Sequence, residues 1–183
     1  MTILFVNACF RKDSRTLELA KAYLERKNTA ITEIKLGNME LPVLNTINTE
    51  KYCNACATRD FNDPMFAFGK QFAEADEIVI AAPFWNLSIP AHLHVYLELV
   101  CSQGATFDID AEGCYHSLCK AKKLTYITTS GGPIQEDHGW TYVKDLATVF
   151  WNIKELEYYK AEGLDIAGND IGQILAKTKA EMV

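Results

Sequence analysis

Three short stretches of the 183-residue chain carry residue types suited to gripping a ligand. The first, NACFRKDSRT, puts the hydroxyls of Ser14 and Thr16 where a helix should begin, with Arg11, Lys12 and Arg15 beside Asp13. Three cations against one acid leave a local excess of two positive charges, in a chain whose formal net charge is −6. A helix start offers unpaired backbone N–H groups and the positive end of the helix dipole, so the chemistry indicated is anion or phosphate binding. The competing reading is that Ser14 is an ordinary N-cap and the charges are solvated. Neither G-x-G-x-x-G nor G-x-x-x-x-G-K-[ST] is present, so the two common nucleotide fingerprints do not apply.

The second stretch, PFWNLSIP at 83–90, holds Phe84, Trp85 and Leu87 between Pro83 and Pro90. The prolines restrict the backbone, Asn86 offers a donor and an acceptor, and no ladder claims the intervening amides. Such a corner suits a flat heterocycle with one apolar and one polar edge; plugging the core or an oligomer interface is the alternative. The third stretch, TTSGGP, sets Thr129 and Ser130 beside Gly131 and Gly132. Adjacent glycines permit unusual backbone conformations and close approach of a ligand, or simply make a turn.

Other reactive residues form no comparable group. Cys53 and Cys56 make a C-x2-C pair and Cys114 and Cys119 a C-x4-C pair. The two pairs would build a four-thiolate zinc site if the fold joined them, but both read as free thiols in irregular segments. His92 and His94 lie two apart on an expected helix and face different ways, which places them on the surface or at an interface. His116 and His138 fall in loops with no acid or nucleophile in evidence, although His138 lies within reach of the expected ligand mouth. Ser102 and Ser117 have no triad context. Glu74, Asp76 and Glu77 read as solvated surface. No catalytic side chain and no metal site is assigned.

These stretches must be positioned by alternating strands and helices. TILFVNA is a β-branched apolar run followed by a helical stripe at Leu17, Ala20, Tyr23 and Leu24; AITEIKL is a second strand. A helix over 64–75 leads into the strand DEIVIAAP, and a helix from Pro90 through Leu93, Leu97 and Val100 is ended by Gly104. After an irregular segment over 104–120 come the strand KLTYITTS and a helix with Trp140, Val143, Leu146, Ala147 and Phe150 inward. The strand ELEYYKAEGLD and a helix capped by Asn169 follow. Five strands alternating with helices predict a single α/β domain over 1–183, a doubly wound parallel sheet of flavodoxin-like order 2-1-3-4-5 in three α/β/α layers. In that order the first, third and fourth strands are neighbours, so the three stretches converge where strand order reverses. An anion pocket, an aromatic shelf and a glycine wall together outline a mononucleotide with a large flat ring, and flavin mononucleotide (FMN) fits.

Composition is that of a soluble globular domain, with 49% hydrophobic and 23% charged residues. Acidic charge disfavours nucleic acid as a partner. With no long apolar run and no leader at Met1, a cytoplasmic protein away from membranes is expected.

PFWNLSIPAHL, continuing through YLELVCSQGATF, resembles the P-[MF]-[YW]-N-x-x-[IV]-P segment and downstream G-x-T-F of FMN-dependent NADH azoreductases, also called quinone reductases, of the flavodoxin-like superfamily. RKDSRT is similar to their phosphate loop, TSGG to their second flavin-contacting turn, and AEGLD to their last strand. The resemblance implies bound FMN, with Ser14 and Thr16 at the phosphate and Phe84, Trp85, Asn86 and Leu87 as the ring platform; Arg11 and Pro83, in the same two loops, are counted with the cofactor site. Thr129, Ser130, Gly131 and Gly132 would border the isoalloxazine. It further implies a homodimer joined through the helix after Pro90 and the 104–120 segment. The implied reaction passes a hydride from NAD(P)H through flavin N5 to quinone or azo acceptors in two alternating half-reactions. Arg11 and the cysteine-bearing segment KYCNACATRDF depart from the better-known members, and the segment would lie near the substrate mouth. The alternatives are a flavodoxin-type electron carrier that does not oxidise NAD(P)H, and a flavin-free or zinc-bearing regulatory domain.

Overall fold

A computed structural model describes residues 1–182. The chain runs β1 (Thr2–Asn7), α1 (Arg15–Leu24), β2 (Ala30–Lys35), α2 (Thr46–Thr58), α3 (Ala67–Glu74), β3 (Glu77–Ala81) and α4 (Ala91–Val100). It continues with β4 (Phe107–Ile109), β5 (Tyr115–Ser117), β6 (Lys123–Thr129), α5 (His138–Val149), β7 (Glu155–Ala161) and α6 (Ile171–Glu181). One five-stranded sheet has the order β2-β1-β3-β6-β7, every pair parallel. This is the expected 2-1-3-4-5 arrangement, with β4 and β5 inserted as a separate antiparallel hairpin.

Side chains alternate across the sheet because a strand repeats every two residues. Leu4 and Val6 of β1 join Ile78 and Ile80 of β3 on one face, under Phe72 of α3, Leu93 and Leu97 of α4 and Val143 of α5. Ile3 and Phe5 join Val79 and Ile127 on the other, under Leu19 and Tyr23 of α1 and Leu175 of α6. Each such side chain, fully buried, contributes roughly 1.5–3 kcal/mol. Among the described residues no helix is long and apolar enough to cross a membrane.

The structure corrects several local expectations. Cys53 and Cys56 lie in α2, not in a loop; Asn45 caps this helix through bonds to the backbone N–H of Ile47 and Asn48. Only Ala55 of α2 is buried, packing with Met65, Phe66 and Leu99, so the helix has little apolar periodicity to reveal it. Part of the 104–120 segment is the β4–β5 hairpin. Helix α4 stops at Val100, short of Gly104. Asp170, not Asn169, caps α6 by accepting from Gln173 N–H; Asn169 donates to the Gly163 carbonyl instead, at 2.8 Å. Glu77 is not solvated surface: it is 2% exposed beneath Tyr23.

Candidate active site

A cavity of about 420 Å³ opens at the C-terminal ends of β1, β3, β6 and β7. Its wall unites Arg11, Ser14 and Thr16 from the first loop with Pro83, Phe84 and Trp85 from the second and Thr129, Ser130 and Gly131 from the third. Asn86, Leu87 and Gly132 stand outside this lining. Asp13, Arg15, Leu164 and Asp165 belong to the wall and were not named from sequence as site residues.

The first loop ends where Ser14 caps α1, its Oγ accepting from Leu17 N–H at 3.2 Å. Capping and anion binding are compatible here, since the hydroxyl retains one donor hydrogen. Among the described residues the backbone N–H groups of Arg15 and Thr16 have no partner, and both residues line the cavity. The Thr16 side chain is committed elsewhere, 2.7 Å from Thr129 Oγ1, a buried contact that ties the first loop to the third. Arg15 reaches Asp165 at 2.7 Å and the Leu164 carbonyl at 3.2 Å. That pairing lowers the local excess: Arg11, Lys12 and Arg15 against Asp13 and Asp165 leave one net positive charge, not two.

The second loop is a tight turn. Trp85 N–H bonds Ser88 O at 3.0 Å and Ser88 N–H bonds Trp85 O at 2.9 Å, with Asn86 (φ 52) and Leu87 (φ 66) between them in the left-handed region. Asn tolerates that conformation; for Leu it is strained and must be imposed by surroundings. Helix α5 lies against the turn. His138 N–H donates to the Leu87 carbonyl at 3.2 Å. At Gly139 an added Cβ would sit 2.6 Å from Ile89 Cγ2, so the helix backbone packs closely on the residue that follows the turn. Asp137 fixes this helix start by accepting from Trp140 N–H at 2.9 Å and from Tyr158 Oη at 2.8 Å. With Phe84 N–H bound to Thr129 O at 3.0 Å, the backbone N–H groups of Asn86 and Leu87 are left without a partner among the described residues.

In the third loop neither Gly131 nor Gly132 has a positive φ, so the expected special backbone conformation is not what places them. At Gly131 an added Cβ would meet Asp165 Oδ2 at 2.3 Å, so this exposed carboxylate sits where a side chain at 131 would be. Glu162 anchors the same loop by accepting from Ile134 N–H at 3.0 Å. Partial burial pushes its carboxyl up, but the Ile134 N–H and Lys160 hold it below the ordinary value.

The remaining singled-out residues are accounted for locally. Burial pushes the Cys9 thiol up to about 11, so it stays protonated. Among the described residues no group of three or more His, Cys, Asp or Glu is placed to hold a metal, and the two cysteine pairs are not joined. Instead Cys53, Cys56 and Cys101 line a separate cavity of about 560 Å³ with Tyr52 and Arg59. His92 packs on Phe10 and His94 on Tyr142. His116, read as lacking an acid, has Asp110 at 2.6 Å, which holds that carboxyl below its ordinary value. Ser102 bonds Leu99 O and Ser117 accepts from Cys119 N–H.

A parallel sheet of this order, with its cavity at the reversal of strand order, defines the flavodoxin-like class of α/β protein. The model of the family described as "Flavodoxin-like fold" matches residues 1–183. An FMN-dependent NADH:quinone oxidoreductase of Clostridium beijerinckii is 30% identical over 183 aligned positions, covering 94% of this chain and 91% of that protein. A second such enzyme, from Clostridium acetobutylicum, is 40% identical over 117 positions, 61% of this chain and 58% of that protein. The solved structure of an azoreductase from Bacillus anthracis superposes with a TM-score of 0.81 at 26% identity, covering 100% of this chain and 96% of that one. The chain belongs to the family of FMN-dependent NADH:quinone oxidoreductases with the flavodoxin-like fold.

Proposed function

We propose that this chain binds FMN in the cavity between α1, the 83–88 turn and the 129–131 loop, and passes two electrons from NAD(P)H to quinone or azo acceptors. The observation that carries this reading is the convergence of a helix N-terminus with unpartnered N–H groups, an aromatic corner and a hydroxyl- and glycine-bearing loop on one cavity. Its volume of about 420 Å³ lies in the ~300–1,000 Å³ range of small-molecule pockets. The names of the relatives support the same reading.

In this arrangement Ser14, the N–H groups of Arg15 and Thr16, and Arg11 hold the phosphate. Pro83, Phe84 and Trp85 face the ring system; Asn86 and Leu87 turn their free N–H groups to its polar edge; Thr129, Ser130, Gly131 and Gly132 border the opposite side. When bound, the flavin supplies the atom that accepts a hydride from the donor and returns it to the acceptor. The chain supplies binding, orientation and fixed dipoles: donors held rigidly at Asn86 and Leu87 favour negative charge at the edge they face, with no reorganisation cost at the moment of reaction. No side-chain nucleophile is needed, in keeping with the protonated Cys9.

A homodimer completes the proposal. Ile109, Tyr115 and Leu118 of the hairpin region and Val149 of α5 are exposed apolar side chains, a surface suited to a second copy. The deciding experiment is spectroscopic and kinetic. The purified protein should be yellow or take up FMN with quenching of its fluorescence, and the loaded form should consume NADH or NADPH in the presence of menadione. Flavin uptake without pyridine-nucleotide oxidation would identify an electron carrier, and no uptake at all would end the proposal.

A further inference from the structure

Arg11 stands between two cavities. One is the cavity described above; the other, of about 300 Å³, opens beyond the first loop at the C-terminal ends of β1 and β2, with Asn7, Phe10, Lys12, Lys35 and Asn38 in its wall. Its lining contains three cations and no acid. Behind it, Glu33 bonds Asn7 Nδ2 at 2.8 Å and lies 3.5 Å from Lys35 Nζ, offsetting one charge. Asp13 faces the neighbouring cavity. Among the described residues Arg11 and Lys12 have no ion-pair partner, an uncompensated cationic cleft in a chain of net charge −6. Such a cleft concentrates anions.

The cleft also joins the aromatic corner. The Phe10 ring, in the cleft wall, lies 5.8 Å from Trp85 and 5.2 Å from His92 between ring centroids. It is seated against Gly37, where an added Cβ would meet Phe10 Cδ1 at 2.9 Å. Phe10 therefore links the aromatic corner at Trp85 to the basic pocket. A pyridine nucleotide has this shape and charge: a flat ring at one end and an anionic, phosphate-bearing adenosine at the other.

We propose that the cleft of Phe10, Arg11, Lys12, Lys35 and Asn38 is the docking subsite for the phosphate-bearing end of the nucleotide donor; this rests on the function proposed above. Lys12 and Lys35 supply charge, the Asn38 amide supplies hydrogen bonds, and Phe10 sets the direction of approach. Lys12 and Lys35 read the donor, while Arg11 stands on the wall shared with the proposed flavin phosphate site.

The probe is ADP-ribose, the donor without its nicotinamide, titrated calorimetrically into the flavin-loaded protein. Wild type should bind it, more weakly as salt rises. Lys12→Gln with Lys35→Gln should weaken ADP-ribose about tenfold and raise the KM for NADH by a similar factor, as loss of two charge-assisted contacts implies. Lys21→Gln, on the exposed face of α1, should change neither. Absence of ADP-ribose binding by loaded wild type, or unchanged binding in the double variant, overturns the subsite. So does loss of FMN from the double variant, since the lysines would then serve the cofactor. Failure of wild type to take up FMN would instead strike the cofactor assignment.

Discussion

The two ends of the sheet treat their polar groups in opposite ways. At the N-terminal ends of β3, β6 and β7, Tyr23 Oη lies 3.0 Å from Glu77 Oε1, 3.0 Å from Glu157 Oε2 and 2.9 Å from Thr125 Oγ1. Lys123 closes the group with a 2.7 Å contact to Glu157, and Lys27 lies 3.9 Å from Glu77. Those side chains find one another. At the C-terminal ends, by contrast, the N–H groups of Arg15 and Thr16 in the cavity wall, and of Asn86 and Leu87 in the exposed turn beside it, have no partner among the described residues, and Leu87 has a positive φ. Polar groups that are satisfied internally add stability; groups kept unsatisfied and pre-aimed have to be met by something from outside. The difference separates a structural end from the end where the proposed site lies.

The comparison is broken most severely at Gly139, where α5 packs closely on the residue that follows the turn. Gly139→Ala should destabilise the protein by about 1–3 kcal/mol through overpacking and also weaken FMN, because Ile89 must move; urea midpoints and flavin titration would record both. Tyr23→Phe should cost a similar ~1–3 kcal/mol by leaving buried acceptors without their donor, yet leave FMN affinity unchanged. An altered affinity there would show that the two ends are not independent.

The closed end also sets a pH dependence. Burial pushes the Glu157 carboxyl up, but Lys123, Thr125 and Tyr23 outweigh it and hold the group below its ordinary value. A carboxyl held down in the folded state stabilises above its unfolded value, ~4.3 for Glu, and loses that contribution as pH falls through the folded value. Lys123 is the reverse case: burial pulls it down, Glu157 and Glu155 raise it further, and its contribution is present below ~10.4 and lost as pH rises through the folded value. Melting temperature should therefore be level near neutrality and fall in acid, and Glu157→Gln should flatten that acid limb.

Smaller effects sharpen the contrast at the open end. Ser14→Ala should cost about 1 kcal/mol as a lost cap, with FMN affinity falling in the same variant. Trp85→Ala, at a side chain 40% exposed, should leave stability within about 0.5 kcal/mol. Its flavin affinity should fall by tenfold or less, the range implied by an aromatic contact of ~0.5–1.5 kcal/mol.

The core strands were legible because their β-branched runs are long and apolar: EIVIA of β3 is buried throughout, and its neighbours follow from topology. Helix α2 was not, since it buries one residue and its cysteines and asparagines carry no stripe. The hairpin strands, three residues each, are too short for alternation to register. At the site, the hydroxyl, aromatic and glycine signals located nine of the lining residues, because each sits beside its loop partners in sequence. The partners of the buried Glu77 are Tyr23 and Lys27, 54 and 50 positions away, so no local pattern announces its burial. The Asn86–Leu87 turn was hidden because it lacks the glycine that usually marks two left-handed residues in succession.

The Arg15–Asp165 bridge spans 150 positions and fastens the loop after the first strand to the loop after the last. The wall of the cavity is therefore complete only when the two sequence-distant ends of the sheet's chain are folded together, so partial unfolding of the last strand would open the cavity as well as the core.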